Sequence, residues 1–409
     1  VMTDVCSLEK SPLLTIAQAL ARLERAIQRI DETESIDLVE AFGRVLAAPV
    51  VSTMDLPPER HSAMDGYAFF SNDLKQSKRL TVVGTSWAGK PFAGTLKAGQ
   101  CVRIFTGAVL PERVDSVVMQ EFVERDGDDL IVPKDVKIKQ NVRAIGEDVS
   151  KGELLLDIKK LNAVDLALLA SAGISKVNVH RRLKIAFCST GDELVAVGQP
   201  LASGQIYDSN RYLLQGLLNN ECYTLTDLGV IQDSKAEIKQ QFLNAAAQHD
   251  VLISTGGASV GDADFVKQVL DECGTVDFWK LAIKPGKPLT FGKINQCYFF
   301  GLPGNPVSAQ VTFQTLVSPA LQQLSGLITK TKLQLWATCL SSLKKSAGRT
   351  EYQRGILSER NGELVVESAG KQGSAILKAL SLANCYIVLP IECEGVGMGD
   401  KVMVQPFEQ

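Results

Sequence analysis

Asp250-Val-Leu-Ile-Ser-Thr-Gly-Gly-Ala-Ser-Val-Gly-Asp-Ala-Asp-Phe265 couples strand-like residues to a glycine-rich loop and then to a helix. Val251 to Ser254 have strand character, and the loop of Thr255 to Gly261 hands over to a helix near Asp262. Glycine permits a tight turn and lets backbone N–H groups approach a ligand. The start of the following helix favours negative charge. The segment therefore predicts an anion cradle at the carboxyl end of a strand, with Asp262 and Asp264 beside it. Carboxylates next to a phosphate imply a divalent cation between them. A plain strand–helix connection can carry the same glycines, so the rest of the chain has to decide between the two.

The chain has 409 residues, of which 45% are hydrophobic and 22% charged. That length predicts two to four domains with sizeable cores. A net charge of -3 excludes a global electrostatic footprint for nucleic acid, so any anion site is a local cluster of Lys and Arg. The nine Cys are scattered, with no C-x-x-C pair, and there are three His. This pattern favours reduced thiols over a disulfide framework or a zinc site. No signal-like start and no apolar run of membrane-spanning length is visible, so a soluble cytoplasmic protein without membrane association is expected.

Ahead of the opening segment, Thr15-Ile-Ala-Gln18 is a capping-box signature. Ile16, Leu20, Leu23, Ile27 and Ile30 then form one apolar helix face, predicting packing within the chain or against another subunit. From 51 to 141, short β-rich runs alternate with turns and read as a β-rich domain. Its first loop, Leu56-Pro-Pro-Glu-Arg-His-Ser-Ala-Met-Asp-Gly-Tyr-Ala68, is rich in polar and turn residues. Asn162 caps another helix. If the two helices pack together, 7–50 and 142–181 form a helical domain interrupted by the β-rich one. From 182 to 328, strands alternate with helices, and Ser234-Lys-Ala-Glu237 repeats the capping-box signature. This predicts a three-layer α/β/α domain with a mostly parallel sheet, whose ligands bind beyond the carboxyl ends of the strands. The loops 189–194, 229–234, 254–264 and 301–306 all fall there. Residues 329–409 read as a C-terminal β-domain. The fold class is thus multidomain α/β.

Lys280, Lys284 and Lys287 lie within Trp279-Lys-Leu-Ala-Ile-Lys-Pro-Gly-Lys-Pro288, where two prolines stiffen the loop. A Walker spacing is absent. The acids Asp192, Glu193, Asp233, Asp262 and Asp264 are individually ordinary loop or cap residues. Sharing an edge with the lysines, they make a site of both signs, as a cation bridging phosphate oxygens requires. No Cys or Ser has a plausible His base, which leaves metal-assisted phosphoryl or oxyanion chemistry.

The chain resembles the molybdopterin molybdenumtransferases, bacterial enzymes related to the C-terminal domain of gephyrin. The resemblance rests on Ser62-Ala-Met-Asp-Gly-Tyr-Ala68, Phe105-Thr-Gly107, Arg143-Ala-Ile-Gly-Glu-Asp148, Ser189-Thr-Gly-Asp-Glu-Leu194, Ser254-Thr-Gly-Gly-Ala-Ser-Val-Gly261, Lys284-Pro-Gly-Lys-Pro288 and Gly301-Leu-Pro-Gly-Asn-Pro-Val-Ser-Ala309. It implies a homodimer of elongated four-domain subunits. The implied reaction takes adenylylated molybdopterin and molybdate, releases AMP and requires a divalent cation, usually Mg²⁺. It further implies that Asp233 and Asp264 hold the metal and that Glu193 lines the pterin-nucleotide pocket. Lys280, Lys284 and Lys287 face phosphates and molybdate, and Ser254, Gly256, Gly257 and Ser259 cradle phosphate. Pro303 and Asn305 join the substrate-binding residues, and Ser308, Arg354 and Ser374 complete the oxyanion pocket. Asp65, Thr106, Arg143 and Asp148 reach it from the other subunit. Contacts with the molybdopterin adenylyltransferase and with molybdoenzyme chaperones are expected on the same basis. Two alternatives stay open: an adenylyltransferase or nucleotide pyrophosphatase on the same fold, and a non-catalytic scaffold.

Overall fold

The structure, a computed structural model, describes residues 13–133, 136–256, 265–328 and 332–407. Its contacts divide the chain into two compact units, one of residues 1–34, 43–45 and 179–409, the other of residues 35–42 and 46–178.

The first unit holds a six-stranded sheet. Tyr223–Ile231, Leu183–Thr190, Val251–Thr255 and Cys297–Leu302 run parallel. Pro288–Ile294 and Gly274–Lys280 continue the sheet as an antiparallel hairpin. Side-chain alternation assigns successive strand residues to opposite cores. Ile185, Phe187, Val251, Ile253 and Phe300 join one core with Leu214 and Leu321. Ala186, Cys188, Leu252 and Phe299 join the other with Ile238, Phe242 and Val269. Helices Asn210–Leu218 and Ser318–Leu324 thus cover one face, and Lys235–Ala246 and Phe265–Cys273 the other. Both faces are covered, as a parallel sheet demands.

The helix Ile16–Ala26 opens with the expected capping box on Thr15. Its stripe packs on the α/β core: Ala19, Leu23 and Ile27 are buried in the same cluster as Leu183 and Leu321. The Gln323 side-chain amide ties the helix down by donating to the Glu24 and Ile27 carbonyls, each at 3.0 Å. The stripe therefore finds its partner in the α/β layer. The Ser234 signature does not form a box; Ser234 makes no side-chain cap hydrogen bond.

Residues 335–406 build a second sheet. It closes on itself because Thr350–Arg360 pairs with both Glu363–Ser368 and Cys385–Leu389. Ala337, Val366, Ile387 and Val404 fill it. The short strand Ile283–Lys284 adds to it in parallel with Thr350 and Glu351, so backbone hydrogen bonds join this barrel to the α/β layer.

In the other unit, a six-stranded sheet runs in the order Ser116–Met119, Gly66–Phe69, Gln100–Ile104, Arg79–Ser86, Asp129–Ile131, Glu124–Asp126. Tyr67 and Phe69 face one core and Ala68 the other. The helix Ala163–Ser171 starts with a capping box between Asn162 and Asp165.

Candidate active site

A cleft of about 760 Å³ opens in the first unit where the α/β layer meets the barrel. From the α/β side it is lined by Gly256, the loop of Lys284 to Pro288, and Pro303, Gly304, Asn305 and Ser308. The barrel supplies Arg349, Glu351, Gln372, Gly373 and Ser374. Seven of the expected residues therefore share one cavity: Gly256, Lys284, Lys287, Pro303, Asn305, Ser308 and Ser374.

Local geometry explains the sequence at this edge. Gly256 has φ +89°, and a Cβ there would sit 2.6 Å from the Thr190 carbonyl oxygen. Gly286 has φ +109°, and its Cβ would meet Thr312 Oγ1 at 2.7 Å. Both turns thus require glycine. The helix after Asn305 begins with Pro306, whose missing N–H costs nothing at a helix start. The Val307 N–H is satisfied by the Ser374 carbonyl at 3.1 Å, so the barrel loop caps the helix. Lys284 stands opposite Glu351 in the parallel pair, and its Nζ lies 3.2 Å from Glu351 Oε1. Glu351 is 5% exposed.

Arg354 departs from its expected place. It is 1% exposed and does not line the cleft. Its guanidinium donates to the Lys371 and Gly373 carbonyls, each at 3.1 Å, holding the loop that presents Ser374. Burial lowers its pKa from the ordinary arginine value. The arginine on the wall is Arg349, which the sequence reading missed, as it missed Glu351.

Ser254 is fully buried in its strand, beneath the turn at Gly256. Lys280 pairs across the hairpin with Pro288 but is not among the cleft-lining residues. Glu193 folds over Gly191, whose Cβ would meet its carboxylate at 2.6 Å. Asp233 is exposed, and its backbone N–H donates to Asp192 Oδ1 at 2.9 Å. Gly257, Ser259, Asp262 and Asp264 lie outside the described residues. A buried polar cluster, also unforeseen, underlies this edge. Ser189 Oγ donates to Asp208 at 3.0 Å, and the Asn210 amide donates to the Gly304 carbonyl at 2.7 Å.

In the other unit, the Thr106 backbone N–H and hydroxyl both donate to Asp65 Oδ1 at 2.8 Å. These bonds, with the nearby Arg103 charge, lower the Asp65 pKa. Arg103 lies over the rings of Tyr67 and Phe105, and Trp87 stacks on Phe105. Arg143 is exposed on a short strand opposite His61, and the Asp148 N–H donates to the Leu56 carbonyl at 2.9 Å.

The chain matches the MoeA N-terminal region (domain I and II) over residues 14–173. It matches a probable molybdopterin binding domain over residues 186–323 and the MoeA C-terminal region (domain IV) over residues 337–407. It is 45% identical to the molybdopterin molybdenumtransferase of Haemophilus influenzae over 97% of this chain and 99% of that one. The corresponding Nostoc protein is 36% identical over 91% of this chain and 88% of its own length. Gephyrin of Dictyostelium discoideum is 34% identical over 90% of this chain and 58% of its own. A solved molybdopterin biosynthesis MoeA protein from Pyrococcus horikoshii superposes with a TM-score of 0.83, at 30% identity, over 97% of this chain and all of that one. The chain belongs to the molybdopterin molybdenumtransferase family, enzymes of molybdenum cofactor biosynthesis.

Proposed function

We propose that the cleft is where molybdate meets adenylylated molybdopterin, and that molybdenum passes to the pterin dithiolene as AMP is released. The observation that carries this is one cavity holding Lys284, Lys287 and Arg349 beside the tight turn at Gly256. Ammonium and guanidinium groups recognise tetrahedral oxyanions by charge-assisted hydrogen bonds, and the arginine adds a planar fork. Ser308 and Ser374 supply hydroxyls on the same walls. The backbone near Gly256, Gly257 and Ser259 would hold the phosphate end of the nucleotide, with Glu193 lining its pterin pocket. Lys280 would act from the strand end beside the cleft.

A divalent cation, Mg²⁺, fits the donor chemistry. Magnesium on a phosphate takes one or two carboxylates and keeps several waters. Among the described residues no cluster of three His, Cys, Asp or Glu forms a closed metal cage. Asp233 and Asp264 would hold the ion, and its chemistry would be to offset phosphate charge as the phosphoanhydride breaks. The chain's own groups bind and orient both substrates.

We further propose a homodimer whose partner subunit completes the site with Asp65, Thr106, Arg143 and Asp148. Support comes from the helix Ala163–Ser171, which is mostly apolar yet leaves Val164 76% exposed. A helix of that character needs a covering surface. The reaction is tested with purified protein, adenylylated molybdopterin, molybdate and Mg²⁺. AMP release with molybdenum on the pterin is expected; a folded protein that does neither refutes it.

A further inference from the structure

Beside the expected Lys284 and Lys287, the structure adds an arginine, Arg349, and a carboxylate to the cleft. Glu351 is 5% exposed and comes from the barrel. Strand register puts it opposite Lys284, with the Lys284 Nζ 3.2 Å from its Oε1. The Gln353 amide donates to the same oxygen at 3.2 Å. Among the described residues the charged groups on the cleft wall are Lys284, Lys287, Arg349 and Glu351. Three cations and one anion leave a net charge of +2.

We propose that Glu351 is a specificity-determining residue of the cleft: paired with Lys284, it trims the wall to a charge that matches a tetrahedral dianion and disfavours more highly charged anions. This rests on the oxyanion reading of the cleft given above. Without the carboxylate, three uncompensated cations would hold pyrophosphate or nucleotide phosphates in the place of a dianion. With it, an arriving dianion draws Lys284 away from Glu351 while the backbone pairing keeps the lysine in position.

The test is calorimetric binding of molybdate and, separately, of inorganic pyrophosphate to the full chain, without pterin substrate. Glu351→Gln keeps the shape and the acceptor oxygen but removes the charge. It should tighten molybdate by roughly twofold to fivefold, the range of a partly exposed ion pair, and pyrophosphate by a larger factor. In a Lys284→Ala background the same change should alter the pyrophosphate-to-molybdate preference less. Weaker binding of both anions by a folded Glu351→Gln chain, or an unchanged preference, overturns the proposal. Should Glu351→Gln not fold, Gln353→Met, which frees Glu351 of its second partner, must still shift that preference. A wild-type chain that binds neither anion removes the oxyanion subsite itself. A chain that binds molybdate but transfers no molybdenum removes the reaction and leaves the role of Glu351 standing.

Discussion

Arg349 and Arg354 lie five positions apart, and the structure gives them opposite duties that mutation separates. Replacing Arg354 with Met keeps much of the buried stem and deletes the guanidinium. Two carbonyls, of Lys371 and Gly373, then lose charge-assisted donors at 3.1 Å. At about 1.5 kcal/mol for each bond, the low end for charged groups, the loss is about 3 kcal/mol. For a unit of this size roughly 2–4 °C of melting temperature accompany each kcal/mol, so a drop of about 6–12 °C is expected. Arg349→Met removes a cation from the cleft wall, where the described residues give it no hydrogen bond or ion pair. It should leave the melting temperature within about 1–2 °C, as a surface change does, and weaken molybdate binding roughly tenfold. Thermal melts and calorimetric titration of both variants decide the matter. If Arg354→Met melts like wild type but loses molybdate, the buried arginine faces the ligand and its assignment as a loop anchor is wrong.

Three further outcomes are expected. Lys284→Ala should weaken molybdate binding by roughly one to two decades, read by calorimetry, since one charge-assisted bond is lost. Gly286→Ala should destabilise the chain by roughly 1–3 kcal/mol in denaturant melts, because φ +109° strains alanine and its Cβ meets Thr312 at 2.7 Å. The third concerns pH. His180 is buried, and desolvation with the Arg29 charge lowers its pKa. The unfolded chain, with a His pKa near ~6.5, then binds a proton that the folded chain refuses. The stability is therefore fully present above about pH 6.5 and falls as the pH drops below it. Melts at descending pH should show wild type losing more than His180→Gln; equal losses would show that another group carries the acid sensitivity.

How much of this was legible in the sequence follows from the range of the interactions. The α/β alternation was visible because strands buried on both faces read as near-continuous apolar runs, as Leu183 to Cys188 does. Gly256 was singled out for a turn, and the structure gives it a positive φ with a neighbour inside Cβ reach; Gly286, which was not, has the same character. The first helix was legible as a helix but not in its partner. An apolar stripe says that a surface will be covered, and the covering residues, such as Leu321 and Leu324, are some 300 positions away in sequence. The same limit hid Glu351 and exchanged Arg354 for Arg349. Nothing local to Arg349-Thr-Glu-Tyr-Gln-Arg354 tells which basic residue faces out, because a strand edge decides it. That edge is the pairing of Ile283–Lys284 with Thr350 and Glu351, which exists only once the α/β layer and the barrel are both folded. Local sequence thus carries the supply of charge to the cleft, whereas its sign balance is set by long-range register. A charge-neutral change that shifts this register would alter anion preference without touching any cation.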